Sequence, residues 1–119
     1  AYDFAMVAPF FAGNPSEPAA WAEAISRTQG HTRRRDDVAR LIGEQQQRRN
    51  APPAAREAAQ RLADPRTVAV VTGQQAGLFG GPLFTLLKAL TALKLAQKVA
   101  REHGVPAVAI FWIDAEDHD

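Results

Sequence analysis

Cysteine is absent from the 119 residues. That excludes a disulfide framework and a thiol nucleophile within this stretch, and it suits a cytoplasmic setting. An excess of one charge is also lacking. Fourteen Lys and Arg stand against thirteen Asp and Glu, for a formal net charge of +1, so no nucleic-acid or polyanion partner is implied. No apolar run approaches the ~20 residues of a membrane span, and the N-terminus has no basic region followed by an apolar core, so neither a membrane partner nor a signal peptide is expected. The two familiar phosphate loops are missing too: the glycines at 73, 77, 80 and 81 fit neither G-x-G-x-x-G nor G-x-x-x-x-G-K-[ST].

What the chain does contain is concentrated between Thr72 and Pro82, in TGQQAGLFGGP. Four glycines in this stretch of eleven require a backbone at positive φ or one passing close to something, because glycine has no Cβ to obstruct either. A β-branched run, Val68 to Val71, precedes it and a long apolar segment from Leu83 follows. Pro82 suits a first helical turn, where its missing N–H costs nothing. Strand, glycine-rich turn and helix N-terminus in that order can hold an anion. The same order also describes a plain tight connection, and the glycines alone do not separate the two.

The N-terminal half reads as helical. Phe4, Val7, Phe10 and Phe11 are interrupted by Pro9, Gly13, Asn14 and Pro15, which implies an extended arm held to the body by Phe10 and Phe11. Ser16 is placed to cap a helix running to about Thr28, with Trp21 and Ile25 on one face. A second helix is expected from Arg34 to Arg49, with Val38, Leu41 and Ile42 as its apolar stripe and Asp36–Asp37 at its start. Arg33, Arg34 and Arg35 then read as a solvated, self-compensated helix start rather than a phosphate site. Gly43 weakens that helix by roughly 1 kcal/mol relative to alanine. A third helix, from Ala54 to Ala63, buries Ala58 and Leu62. The second and third helices are thinly apolar, so their stability must come from docking onto a sheet.

From Thr67 onward the pattern changes. The unbroken apolar run 67–71 implies a strand buried on both faces, as in a parallel sheet. A helix over 82–103 carries Leu or Phe at 83, 84, 86, 87, 90, 93 and 95, and so is expected to be covered on most sides. Gly104 fits the position after its last turn. A second strand, 107–113, completes a βαβ unit with a right-handed crossover. The fold class is therefore α/β, with residues 1–66 as an arm and helices packing on a parallel-sheet core that begins at 67–119.

That topology would bring two loops together at the carboxyl edge of the sheet, where open α/β folds bind ligands. The second loop is acidic: Asp114, Glu116, Asp117, His118 and Asp119. Four carboxylates and an imidazole there could bind a divalent metal, clamp an ammonium or sugar hydroxyls, or move protons. His31 and His103 have no such context. Because the chain stops on this polar loop, it reads as the first portion of a longer protein. Alone it is expected to aggregate or to require partner segments, and to lack activity.

The paired signature TGQQAGLFGGPL and FWI-x-x-EDHD, with FF-x-G-N-P at Phe10 to Pro15 and RLADPRT at 61–67, resembles the bacterial bacillithiol-biosynthesis family BshC, whose members are named as cysteine ligases. Asp114–Ala115 departs from the Ala-Gly expected in much of that family. The resemblance implies a Rossmann-like core akin to nucleotidyl-transferring synthetases and a helical coiled coil further on, through which a homodimer could form. It also implies the addition of L-cysteine to glucosaminyl-malate as the last step of bacillithiol synthesis. Carried onto this chain, Thr72, Gly73, Gln74 and Gln75 match a loop bordering the ligand pocket, and Gly80, Gly81 and Pro82 the turn into the helix. Lys88 becomes a candidate contact for an anionic substrate or phosphate, with a snorkelling lysine as the plain alternative. Glu116, Asp117, His118 and Asp119 become the candidate catalytic group. No cofactor is written in these residues; ATP is the economical activator of a carboxylate. The other class of reading is a non-catalytic nucleotide- or sugar-phosphate-binding module using the same crevice.

Overall fold

The computed structural model describes residues 3–75, 77 and 83–114. Its helices and strands follow the order α1 (Pro18–Gln29), α2 (Arg35–Arg48), α3 (Pro53–Arg61), β1 (Val68–Gln75), α4 (Leu83–His103) and β2 (Ala107–Asp114). Two compact units divide between Thr32 and Arg33, so α2 and α3 belong with the sheet. None of the described helices is long and apolar enough to cross a membrane.

In the N-terminal unit the expected extended arm is replaced by two single 3₁₀ turns, Phe4–Met6 and Ala8–Phe10. The Asp3 carboxylate caps the first by accepting from Ala5 N at 3.0 Å. Phe10 is 83% exposed, while Phe11 leans on the Phe4 ring with centroids 6.2 Å apart. Ser16 does not cap α1. Its backbone N–H donates to Asn14 Oδ1 at 3.0 Å in an Asx turn that precedes the helix. The helix starts two residues later instead, at Pro18 behind an extended Glu17. Trp21 then donates from Nε1 to Pro15 O at 2.8 Å, and Ile25 is buried.

In the second unit, β1 and β2 pair in parallel, with Val68 opposite Ala107 and Gln75 opposite Asp114. Val68 and Val108 are buried, each worth about 1.5–3 kcal/mol of transfer free energy. α4 lies on both strands, and α3 meets β2 as well as α2. The side of α4 that is buried is its small-residue row, Ala92, Ala96 and Val99, which lets helix and strands approach closely. The large side chains expected to be covered on most sides are not: Leu83 and Phe84 are 72% and 60% exposed, and Leu86, Leu87, Leu90 and Leu93 are exposed as well. Among the described residues α4 meets elements on one side only, so its broad apolar circumference exceeds what β1 and β2 can cover.

The helix ends follow residue chemistry. Gly104 takes φ +63° after α4 and donates to Ala100 O at 3.1 Å. Asn50 takes φ 48° after α2. There Ala51 N bonds Gln46 O and Asn50 N bonds Gln47 O, the paired closure of a Schellman motif, with asparagine tolerating the left-handed position. Val38 and Leu41, expected to be buried, are 46% and 55% exposed; the half-buried row of α2 is Arg35, Ala39, Ile42 and Gln46.

Arg35 explains that shift of face. Its Nη1 donates to Thr67 O at 3.0 Å, Asp64 O at 3.3 Å and Leu62 O at 3.4 Å, tying α2 to the turn between α3 and β1. Arg34 behaves as expected of a self-compensated start, pairing with Asp37 at 2.7 Å. Within the turn, buried Thr67 donates its hydroxyl to Arg61 O at 2.6 Å. The Asp64 carboxylate accepts from both Arg66 N and Arg66 Nη2 at 2.8 Å. These bonds from Arg66, the side-chain one foremost, hold the Asp64 carboxyl below its ordinary value and raise the Arg66 guanidinium.

Candidate functional site

The parallel register brings the carboxyl ends of the two strands level. Thr72, Gly73, Gln74 and Gln75 stand opposite Phe111, Trp112, Ile113 and Asp114. The expectation that Thr72–Gln75 form a loop is therefore corrected: all four lie in β1. Glycine and glutamine have poor strand propensity, but the ladder to β2 gives their backbone groups partners that local propensity cannot register.

Gly73 is needed for space. A Cβ built there would stand 2.6 Å from Trp112 Cδ1 and 2.9 Å from Cε2, so the indole lies directly over the glycine backbone. Trp112 is nevertheless 55% exposed, giving the end of the sheet a flat aromatic surface. Gly73, Gln74, Gln75, Trp112 and Asp114 together line an open cleft of ≈ 330 Å³. Trp112 escaped the sequence reading as a site residue. Its available signal was the FWI run, whose register against Gly73 only the paired strands reveal.

Lys88 approaches the same strand end from α4 and is held by the protein itself. Nζ donates to Gly73 O at 3.0 Å and to Gln74 Oε1 at 2.9 Å, and it sits 5.3 Å from the Phe84 ring centroid, within cation–π range. Among the described residues no carboxylate pairs with it. Thus three of the expected binding residues, Gly73, Gln74 and Gln75, line this cleft, while Thr72 and Lys88 lie at the same end of the sheet outside that lining. The expected Gly80, Gly81 and Pro82, and the catalytic candidates Glu116, Asp117, His118 and Asp119, lie outside the described residues.

A second hollow, of ≈ 180 Å³, belongs to the N-terminal unit and is lined by Phe11, Pro15, Ala20, Trp21 and Arg27 among others. It is predominantly apolar and gathers no set of polar groups comparable to the cleft.

Comparison with known proteins fits this geometry. Residues 1–119 match the family model described as bacillithiol biosynthesis BshC, N-terminal Rossmann-like domain. Relatives named "Putative cysteine ligase BshC" include one from Heliobacterium modesticaldum, 43% identical over 98 residues, which is 82% of this chain and 17% of that protein. One from Halalkalibacterium halodurans is 40% identical over 110 residues, 92% of this chain and 20% of that protein. One from Salinibacter ruber is 40% identical over 118 residues, 98% of this chain and 21% of that protein. The chain thus spans about a fifth of the length of these relatives. It belongs to the BshC family, as a Rossmann-like N-terminal domain.

Proposed function

We propose that this chain supplies one wall of the active site of a ligase that joins the carboxyl group of L-cysteine to the amine of glucosaminyl-malate, the last step of bacillithiol biosynthesis. The observation that carries the reading is the level ending of β1 and β2, with Gln75 opposite Asp114, in a chain whose whole length matches the BshC domain. A strand end followed by the glycine-rich run and a strand end followed by the acidic run then share one edge.

The reaction needs an activated carboxylate. ATP would supply the activation, placing phosphate or nucleotide on the cysteine carboxyl as leaving group. The amine nitrogen forms the new C–N bond, the bond to the leaving group breaks, and the nitrogen gives up a proton. In this reading Asp117 or His118 accepts that proton, with Glu116 and Asp119 holding the ammonium before reaction. Thr72, Gly73, Gln74 and Gln75 border the substrate, and Gly80 and Gly81 allow the backbone to approach it. The work is cytoplasmic, and a coiled coil in the longer protein joins two copies.

The test is incubation of the full-length protein with glucosaminyl-malate, L-cysteine and ATP, followed by mass analysis. The cysteinyl product is expected, with turnover strongly lowered in Asp117→Asn and His118→Gln at unchanged melting temperature. Absence of product with ATP and with alternative nucleoside triphosphates refutes the reaction. Unchanged turnover in both variants removes the acidic run from it.

A further inference from the structure

We propose that the outer side of α4, over about its first three turns, is the seat of a second helix supplied by the remainder of the full-length protein. The row of α4 that is buried against the strands is Ala92, Ala96 and Val99. At about 3.6 residues per turn, Leu83 and Leu90 stand on the opposite side, with Leu86, Leu87 and Leu93 flanking them. All five leucines are exposed. Soluble proteins rarely leave a contiguous apolar patch of this kind bare.

The row has the form of a helix-packing seam. Leu83, Leu86, Leu90 and Leu93 repeat with the a and d spacing of a heptad, along which a second helix packs at a shallow crossing angle. The seam also has an end. Past Leu93 the same side of α4 continues as Lys94, Gln97, Lys98 and Arg101, all exposed, so the seat is only about 15 Å long. Completion of the sheet cannot fill it. Further strands and their crossover helices extend the two layers sideways and meet the flanks of α4, not the side that points away from the strands. The occupant is therefore an additional layer. On the sheet side of these same turns Lys88 bonds Gly73 O at 3.0 Å, so the covering helix braces α4 behind the carboxyl end of β1.

Size and charge identify the occupant. Five leucines are far fewer than the roughly 20–30 residues a side of a standard interface between separate proteins, so a second copy seated here would be held weakly. A helix tethered in the same polypeptide does not need that area, because the tether supplies a high effective concentration. The relatives have the length to provide it, since this chain covers 17% to 21% of theirs. α1 exposes no large apolar side chain and has no seam to match. The partner helix carries apolar residues at its own a and d positions, and acidic residues where it meets Lys94 and Arg101.

The experiment uses the full-length protein. Leu87→Cys, Leu90→Cys and, as an exposed control on the same helix, Gln97→Cys are alkylated under native conditions and followed by peptide mass analysis. The two cysteines in the seat should react about tenfold or more slowly than the control, and equally fast in denaturant. Equal native rates overturn the proposal. A photo-reactive benzoylphenylalanine in place of Lys94, at the rim, leaves the seat intact and captures its occupant. Irradiation of mixed isotopically light and heavy protein should give crosslinks within one copy, to a segment outside residues 1–119. Crosslinks that join light to heavy copies, or that reach residues 1–32, overturn the assignment of the occupant, as does an irradiated sample with no crosslink. Melting temperatures of the same variants separate these outcomes from misfolding. Neither readout uses turnover, so failure of the ligase reading leaves both unchanged.

Discussion

The two ends of the β1–β2 pair are built to different rules. At the amino end, where α3 turns into β1, polar groups are matched to protein partners. Arg35 gathers three carbonyls, the Thr67 hydroxyl is bonded and buried, and the Asp64 carboxylate is taken by Arg66. At the carboxyl end, Trp112 and Ile113 are 55% and 57% exposed, and the Gln74 Nε2 donors have no partner among the described residues. Among the described residues the Lys88 ammonium there bonds two neutral oxygens. The difference teaches where recognition can occur. A closed hydrogen-bond network fixes geometry and has nothing to offer a ligand, whereas an end with oriented, unfilled capacity can exchange it for a partner's groups.

That contrast is broken most severely at Arg35. Arg35→Met removes three side-chain-to-backbone bonds at a partly buried site and leaves the carbonyls to find water. The expected loss is about 2–4 kcal/mol in denaturant melting. Arg35→Lys should recover only part of it, because a compact ammonium does not reproduce the reach of a planar guanidinium. Affinity of the remaining folded protein for a cleft ligand should not change. A variant as stable as wild type would show that the amino end is not held by this arginine.

A smaller effect is expected at Thr67, which is 1% exposed. Thr67→Val is close to isosteric and loses only the donor to Arg61 O. The carbonyl is left without that partner at a site water reaches poorly, for a cost of about 1–2 kcal/mol. Thr67→Ser keeps the hydroxyl and should cost less than Thr67→Val. The reverse order would place the contribution of this residue in its methyl group.

Asp64 gives a pH dependence whose sign follows from its lowered value. A carboxyl whose folded value lies below its ordinary 3.8 stabilises the fold fully above that ordinary value and loses the contribution as pH falls through the lower, folded one. Asp64→Asn should therefore be slightly less stable than wild type at neutral pH, with the difference closing under acid. Because the pair is exposed, the effect is small and salt-sensitive. A difference that widens as pH drops below 3.8 would reverse the assignment.

Much of the framework was legible in the chain because periodicity and terminators agree with it. The β-branched run at 68–71, the helix closed by Gly104 and the strand after Pro106 each satisfy local rules and recur in the structure. Three features were hidden, each for a physical reason. The extension of β1 through Gln75 depends on partners in β2, more than thirty residues away. The inner row of α2 contains an arginine that is half-buried by virtue of what it donates to, which an apolar-stripe reading cannot register. Ser16 failed as a cap because α1 begins one residue too late for it, at Pro18 with Glu17 in the cap position. At the site, residue types pointed to Gln74 and Lys88 but not to their bond, since fourteen residues separate them.

The smallest change in stability, and the sharpest test of the carboxyl end, is expected for Gly73→Ala. Alanine in a strand interior gains roughly 0.5–1 kcal/mol over glycine through the unfolded chain. Against this, the new Cβ cannot coexist with the Trp112 indole where it lies. Trp112 is more than half exposed, so the ring can swing outward without opening a core cavity, and the two terms nearly cancel. Melting should shift by less than about 1 kcal/mol, while the indole reports its displacement. In a Trp21→Phe background, which leaves Trp112 as the single tryptophan, emission should move to longer wavelength and quenching by iodide should increase. Ligand affinity should fall with it, because the displaced ring occupies the cleft that Gly73, Gln74 and Asp114 border. A large loss of stability instead would mean that the indole is clamped and that the carboxyl end is as closed as the amino end. Unchanged emission and quenching would mean that the ring does not lie over Gly73, and the cleft would lose its aromatic wall.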